Sequence, residues 1–306
     1  MFYYMLSAAF TEKFYSHISG LIGGVSISEI KTFPLVLPPS YEQKYIANFL
    51  DAKCTEVDAV IAQTKTTIEE YKKLKQSVIT QAVTKGIRSD RPMKDSGIEW
   101  IGDIPREWNI SKVKNVATTV TDGAHISPET DDGVYDFVST VNIGDGAIDF
   151  TTCLKTSPKS YEYLVRTGCK PQKNDILISK DGTVGKTVVL DFDRDFVVAS
   201  SLVIIRPNLQ IVSPTYLNYN LQSKFVQDSL VMVMHGAGLK RVSVQKNANL
   251  TVVLPPIKEQ EEIVTYLNQK CTEIDALITK KTALLEELET YKKSVIYEYV
   301  TGKKEI

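Results

Sequence analysis

The sequence has few of the residues on which disulfide and zinc sites are built. Its 306 residues include four cysteines and three histidines. The cysteines lie far apart, without a C-x-x-C pair, at Cys54, Cys153, Cys169 and Cys271. This spacing argues against a disulfide framework or a zinc site and indicates free thiols, as in a cytoplasmic protein.

Long apolar runs and a strong net charge are also missing. No run approaches the ~20 apolar residues of a membrane span, and the first residues, MFYYML, lack the basic start of a signal peptide. We therefore expect no membrane partner. The net charge of -1 excludes a uniformly basic nucleic-acid coat but allows a local basic face. A hydrophobic content of 43% is enough to build about two folded domains.

Catalytic motifs are absent as well. The sequence has no Walker loop, no G-x-G-x-x-G after a strand, no H-E-x-x-H and no G-x-S-x-G. The segment DGTVGK at 181–186 lacks the spacing of a phosphate loop, and we interpret it as a hairpin turn. The sequence therefore contains no recognisable catalytic constellation and predicts no metal or cofactor of its own, which disfavours an enzyme fused to a helical clamp.

What the sequence does contain is an internal repeat. The segment from Leu35, LVLPPSYEQKYIANFLDAKCTEVDAVI, matches the segment from Val252, VVLPPIKEQEEIVTYLNQKCTEIDALI, at an offset of 217 residues. About 23 of 52 aligned pairs are identical. So long a period indicates a duplicated module rather than a solenoid. About 34 residues precede the first long segment, whereas about 150 separate the second from the end of the first.

Each copy of the repeat predicts a long helix. Apolar-leaning positions recur in alternating steps of four and three over about five heptads, which is typical of a coiled coil. They are Ile46, Leu50, Lys53, Val57, Val60, Thr64, Thr67, Tyr71, Leu74, Val78 and Ala82, then Ile263, Leu267, Lys270, Ile274, Leu277, Lys281, Leu284, Leu288, Tyr291, Val295 and Tyr299. Proline pairs precede both helices, and Gly86 and Gly302 follow them. Each helix should span about 43 residues, or roughly 65 Å.

We expect these helices to pack on each other as an antiparallel coiled coil. Cys54 and Cys271 would then lie at opposite ends, too far apart for a disulfide. Four polar seam positions weaken the seam, fix its register or mark a subunit contact: Lys53, Thr64, Lys270 and Lys281. The alternative is that each helix packs on its own globular domain.

The segment between the helices is predicted to be one strand-rich α+β domain, so the fold class is α+β with two flanking helices. Strand-like runs occur at 135–141, 175–179, 187–190 and 196–207, and a helix is expected at 214–231. Residues 155–186 and 235–246 are rich in lysine and arginine, whereas 129–149 is acidic. Glycine-rich loops between such cations can approach a phosphate backbone closely, although the charges also fit an ordinary solvated surface.

Several motifs together resemble the DNA specificity (S) subunit of type I restriction-modification systems. The opening KDSGIEWIGDIPREW at 94–108 resembles the start of a target recognition domain. The stretch TDGAHISP at 121–128 is similar to a D-G-x-H-x-x-P motif, and DILISKDGTVGK at 175–186 to a G-D-I-L-x-S-x-x-G-T-x-G segment. Both L-P-P-x-x-E-Q helices resemble the conserved regions of the family. The likeness covers essentially the whole chain.

The resemblance implies a non-catalytic subunit in which each recognition domain reads one half of a split DNA site. The paired helices would act as a spacer. The implied partners are double-stranded DNA, modification (methyltransferase) subunits that carry S-adenosylmethionine, and the restriction (motor and nuclease) subunit. On this basis we divide the chain into a remnant of a first recognition domain (1–34), a central conserved helix (35–88), a complete recognition domain (93–250) and a distal conserved helix (251–306).

The short first segment resembles an N-terminally truncated S subunit, with a helix at Phe2–Tyr15 and a strand leading to Pro38. Reading both half-sites would then need self-association or a complementing S fragment. Two other interpretations stay open: a coiled-coil scaffold or adaptor that does not bind DNA, and an S-like chain of a type II restriction enzyme. The candidate DNA-binding residues are His125, Ser179, Lys180, Thr183, Lys186, His235, Lys240 and Arg241.

Overall fold

The structure is a computed structural model that describes residues 1–18, 23–35, 37–144, 146–235 and 240–305. It forms two compact units. The first contains Met1–Lys73 and Glu273–Ile306, and the second contains Leu74–Thr272. The unit boundary falls within both long helices.

The helices of the described chain are α1 Phe2–Leu6, α2 Ala8–Ser16, α3 Ile27–Ile30, α4 Ser40–Lys85, α5 Val113–Val116, α6 Pro158–Arg166, α7 Pro214–Gln222, α8 Lys224–Val233, α9 Val244–Ala248 and α10 Ile257–Val300. The strands are β1 Met93–Asp95, β2 Asp103–Pro105, β3 Asn109–Lys112, β4 Ala117–Asp122, β5 Tyr135–Val138, β6 Ile143–Gly144, β7 Ala147–Ile148, β8 Leu154–Thr156, β9 Ile176–Ser179, β10 Thr187–Val189, β11 Phe196–Val198, β12 Leu202–Pro207 and β13 Thr251–Leu254.

In the first unit the two long helices run antiparallel. Leu50 and Cys54 of α4 pack in one apolar cluster with Val295 and Ile296 of α10. Further along, the Nζ of Lys292 donates to Asp58 at 2.6 Å, and Lys65 pairs with Glu289 at 3.7 Å. As the residue number increases along α4, the number of its contact in α10 decreases, so the helices are antiparallel, as the sequence predicts.

A heptad seam consists of two lines of positions along each helix. One of these lines is buried as predicted, whereas the other is shifted by one residue from the predicted positions. Cys54 is 7% exposed, whereas the predicted Val60 and Leu74 are 47% and 48% exposed. The buried line passes through Cys54 and Ile68, each one residue after a predicted position. The same shift occurs in α10, where Cys271 is buried and Leu277 is exposed. Seam positions alternate in steps of three and four residues. A heptad register assigned with these two steps exchanged can therefore still fall on apolar residues that lie beside the seam.

The second unit contains three principal sheets around a large core. One has the order β10-β9-β12-β4 and is antiparallel throughout. The second, β11-β5-β8, is mixed, and the third pairs β13 with β3. Trp108 and Tyr216 are fully buried in the core against residues of α4 and α10. The expected α+β class is confirmed.

Two predicted elements of the second unit are divided. The run 196–207 forms β11 and β12, which belong to different sheets. The helix expected at Pro214–Val231 is two helices that meet at Ser223. This buried serine has extended backbone dihedrals, and its Oγ donates to the carbonyl of Asn220 at 2.5 Å. A side chain that satisfies the helix carbonyl in this way competes with continuation of the helix.

The predicted helix Phe2–Tyr15 is divided in the same way at Ser7, whose Oγ donates to the carbonyl of Tyr4 at 2.7 Å. The strand expected before Pro38 is not present at 33–35 or 37–39, and Val36 lies outside the described residues.

The internal repeat reappears as repeated hydrogen bonds. In the first unit the hydroxyl of Tyr3 donates to Asp51 at 2.5 Å, and in the second the hydroxyl of Tyr219 donates to Asn268 at 2.8 Å. The acceptors are 217 positions apart, the offset of the sequence repeat. Gln43 and Gln260 likewise each donate to the carbonyl of the first proline in the pair that precedes their helix, Pro38 at 2.7 Å and Pro255 at 2.9 Å. The short segment before α4 therefore repeats two hydrogen bonds of the segment before α10, although β13 precedes α10 and residues 33–35 and 37–39 form no strand.

Candidate nucleic-acid interface

The candidate interface lies at one edge of the four-stranded sheet. β4 ends at Asp122, β9 ends at Ser179, and β12 begins at Leu202. Cross-strand register pairs Leu202 with Ser179 and Val203 with Asp122, so these strand ends lie side by side. The loops that leave this edge contain the TDGAHISP and SKDGTVGK motifs.

The SKDGTVGK loop is a compact hairpin connection between β9 and β10, as predicted. Ser179 is fully buried, and its Oγ donates to the carbonyl of Thr183 at 2.5 Å and accepts the backbone N–H of Lys186 at 2.9 Å. Gly182 has a φ of 71°, a conformation that favours glycine. The serine side chain therefore fixes the path of the loop from beneath it.

A second segment packs on this loop through its backbone. His235 and Arg241 exchange backbone hydrogen bonds of 2.9 and 3.1 Å. Gly182 N–H donates to the carbonyl of Lys240 at 3.0 Å, and Val242 N–H donates to that of Lys180 at 2.8 Å. The predicted loop glycines Gly236 and Gly238 lie outside the described residues. All eight predicted site residues thus fall on three neighbouring segments, 122–125, 179–186 and 235–241.

Two carboxylates alternate with two cationic side chains and one imidazole at the centre of this surface. We call Asp122, His125, Lys180, Asp181 and Arg241 the loop-end cluster. Asp122 lies 3.3 Å from the Nζ of Lys180 and 2.9 Å from the Nε2 of His125. Asp181 accepts from the Nε of Arg241 at 2.7 Å and lies 3.8 Å from Lys180. The cluster is a network of paired charges held at fixed positions.

Exposure divides the predicted residues into two groups. Ser179 and Lys180 are buried, at 0% and 6% exposed. The remaining six are exposed at the surface: His125, Thr183, Lys186, His235, Lys240 and Arg241. The exposed group is the one that a macromolecular ligand can reach.

Several groups at this surface were not identified from the sequence. Asp122 and Asp181 each precede a glycine of the motifs, and each also binds a cation. Lys246 donates from Nζ to the Nε2 of His235 and to the carbonyl of Val233 at 3.0 Å. The charge run at 235–246 was the only sequence signal for Lys246.

Other lysines of the basic stretch 155–186 are paired with acids away from the loop-end cluster. Lys155 and Arg194 both bind the buried carboxylate of Asp136, and Lys170 donates to Asp195 at 2.5 Å. The acidic stretch 129–149 therefore contributes at least one carboxylate to the interior rather than to a surface of one sign.

Gly123 explains why glycine follows Asp122. A Cβ at this position would lie 2.1 Å from the carbonyl oxygen of Val198, well inside contact distance. The backbone of β4 thus turns directly against β11, and this close approach sets the position of Asp122 and His125.

The L-P-P-x-x-E-Q motif joins α10 to the same domain. Glu259 accepts from the Nε1 of Trp108 at 2.8 Å and pairs with Arg91. Burial raises the pKa of Glu259, but the hydrogen bonds from Arg91 and Trp108 outweigh it and hold that pKa below its usual value. Gln260 is fully buried, accepts from the backbone N–H of Ser213 at 2.9 Å and donates to Ile211 at 3.1 Å. The motif residues are structural.

Among the described residues, no group of three or more His, Cys, Asp or Glu side chains is placed to hold a metal ion. In the same residues, no helix is both long and apolar enough to cross a membrane. The four cysteines are free and buried.

Comparisons with known proteins agree with this architecture. The type I restriction modification DNA specificity domain matches residues 105–289, more than half of the chain. The chain therefore belongs to this family. The EcoBI specificity subunit of Escherichia coli is 26% identical over 276 residues, covering 88% of this chain and 58% of that protein. A putative MjaX specificity subunit of Methanocaldococcus jannaschii is 25% identical, covering 91% and 61%.

The fold is also found in a solved structure that concerns complex assembly and conformational transition of the type I R-M system. It matches with a TM-score of 0.70 at 18% identity, covering 98% of this chain and 70% of that one. The chain spans about three fifths of the length of the curated relatives that it matches.

Proposed function

We propose that this chain is a DNA specificity subunit of a type I restriction-modification complex. Its recognition domain reads one half of a bipartite site in double-stranded DNA. The observation that carries this proposal is the convergence of the exposed cations Lys186, Lys240 and Arg241 on one edge of a sheet, beside His125 and His235.

The exposed cations suit the two tasks of such a surface. Lysine and arginine neutralise phosphates and supply affinity, and arginine also pairs bidentately with guanine in the major groove. We assign DNA contact to Lys186, Lys240 and Arg241, with His125, Thr183 and His235 as polar contacts. Ser179 and Lys180, which are buried, hold the loop in place from below.

The long helices support a spacer and docking role. α4 has 46 residues and α10 has 44, which at 1.5 Å per residue gives about 69 and 66 Å. That is about two turns of B-DNA at ~34 Å per turn. Modification subunits would dock on the outer faces of these helices and bring S-adenosylmethionine, and the restriction subunit would join that core. The chain itself would be non-catalytic and act in the cytoplasm.

The test is a salt-titrated DNA-binding assay on the full chain, alone and co-expressed with a modification subunit. Random duplexes retained by the complex are sequenced to define a site. Lys240→Ala with Arg241→Ala should then weaken binding and make it less dependent on salt, because fewer counterions are released. Lys159→Ala, an exposed lysine paired with Glu129 elsewhere on the domain, is the matched control. An unchanged salt slope in the double variant would contradict a phosphate role for these residues.

A further inference from the structure

We propose that Asp181 is a positioning residue, which holds the guanidinium of Arg241 in the orientation that contacts DNA. This inference rests on the function proposed above and adds to it a residue of the opposite charge.

The backbone of Arg241 is fixed to the loop that carries Asp181. Arg241 forms an antiparallel bridge with Asp181 and another with His235. The hydrogen bonds from Gly182 to Lys240 and from Val242 to Lys180 lie on either side, at 3.0 and 2.8 Å. The Cα of Arg241 therefore has a defined position on the sheet edge.

Within the described part of the chain, the side chain of Arg241 is held by a single hydrogen bond. Its Nε donates to the Oδ1 of Asp181 at 2.7 Å, yet the side chain is 60% exposed. A guanidinium has five N–H donors in a rigid fork, and this bond uses one of them. Holding Nε therefore sets the plane of the fork, and a fork held in this way loses less side-chain entropy on pairing with guanine or phosphate.

Asp181 is itself held by groups beneath it. Its side chain is 9% exposed, and Lys180, which is 7% exposed, lies 3.8 Å from one of its oxygens. Lys180 also lies 3.3 Å from Asp122. Charges thus alternate from Asp122 through Lys180 and Asp181 to Arg241. Only the last member of this series projects well into solvent.

The sign of one substitution separates positioning from simple electrostatics. A carboxylate beside a DNA-binding surface repels phosphate, so its removal should tighten binding if it has no other role. If Asp181 positions Arg241, its removal should weaken binding instead, and only while Arg241 is present.

The experiment measures the affinity of the full chain, in its DNA-binding complex, for the selected duplex and for single-base-pair variants of it. For Asp181→Ala we expect about tenfold weaker specific binding, the loss of one charge-assisted hydrogen bond, and reduced discrimination at one or two adjacent base pairs. In an Arg241→Ala background the same change should alter the affinity less than twofold. Asp181→Asn keeps an oxygen acceptor and should fall between the wild type and Asp181→Ala.

Asp131→Ala is the charge control, because it removes an exposed carboxylate of the same domain; we expect unchanged or slightly tighter binding. Thermal unfolding checks that each variant is folded. If Asp181→Ala does not fold, the single variants Asp181→Asn and Arg241→Lys replace it in the test. Tighter or unchanged binding by the Asp181 variants, or an equal loss in the Arg241→Ala background, overturns the inference. If the wild type selects no duplex, the proposed function itself is refuted. If the wild type selects a duplex but the Asp181 variants bind it as tightly, the positioning role alone is refuted.

Discussion

Glu259 offers a quantitative test of how the L-P-P-x-x-E-Q motif holds α10 to the strand-rich part of the second unit. Glu259→Ala removes the acceptor of the Trp108 Nε1–H and one of the two carboxylates that pair with Arg91. Trp108 is fully buried, so its unsatisfied N–H should cost about 1–3 kcal/mol. The side chain of Arg91 is 15% exposed, so it regains some solvent and adds about 1–2 kcal/mol. The free energy of unfolding should therefore fall by about 3 kcal/mol.

The assay is equilibrium urea unfolding followed by tryptophan fluorescence, since Trp108 is one of only two tryptophans in the chain. Glu262→Ala is the matched control, because Glu262 lies three residues further along the same helix and pairs with Arg88, both side chains being largely exposed. An exposed pair of this kind is worth about 0–1 kcal/mol. Equal midpoints for the two variants would refute the reasoning.

The same carboxylate predicts a dependence on pH. The pKa of Glu259 is lowered in the folded chain, so its contribution is present above the ordinary value of 4.5 and is lost as the pH falls through the folded value. The stability difference between the wild type and Glu259→Gln should therefore be constant near pH 7 and shrink below about pH 4.5. A difference that grows on acidification would contradict the sign.

Two further predictions concern close packing. Gly123→Ala should lower the free energy of unfolding by about 1–3 kcal/mol, because its Cβ would meet the backbone of Val198. Gly144→Ala, whose Cβ would have no atom of the described residues within 4 Å, is the control in the same melting experiment. Burial raises the pKa of Cys153 to about 11 and also raises that of Cys54 and Cys169. Native chain should therefore react slowly with a thiol reagent at pH 8, whereas chain unfolded in guanidinium should react rapidly at all four cysteines. Rapid reaction of the native chain would contradict the buried placement.

The local sequence predicted where the helices lie better than it predicted where they are interrupted. The heptad spacing located both long helices, and the proline pairs and glycines placed their ends within a few residues. The breaks at Ser7 and Ser223 were missed, because serine also occurs within helices: Ser229 donates to the carbonyl of Phe225 inside α8 without ending it. The buried line through Cys54 was missed for a related reason, since burial depends on the partner helix.

The candidate site shows the same division. The motifs located the loops, and the charge runs identified Lys240 and Arg241. The sequence did not distinguish Lys180 from Lys186, although one is buried between two carboxylates and the other is exposed. Nor did it identify Asp181 as a partner of Arg241, because 60 residues separate them.

The sequence by itself determined the duplication, the helix periodicity and the family, because these depend on residues that are near one another or on matching copies. Tertiary structure alone decided which cations face solvent, which carboxylates hold them and which helix line is buried. Those properties arise from segments that meet only after folding. Strand register brings Asp122 beside Lys180 at the sheet edge, and a backbone bridge to Asp181 places Arg241 there.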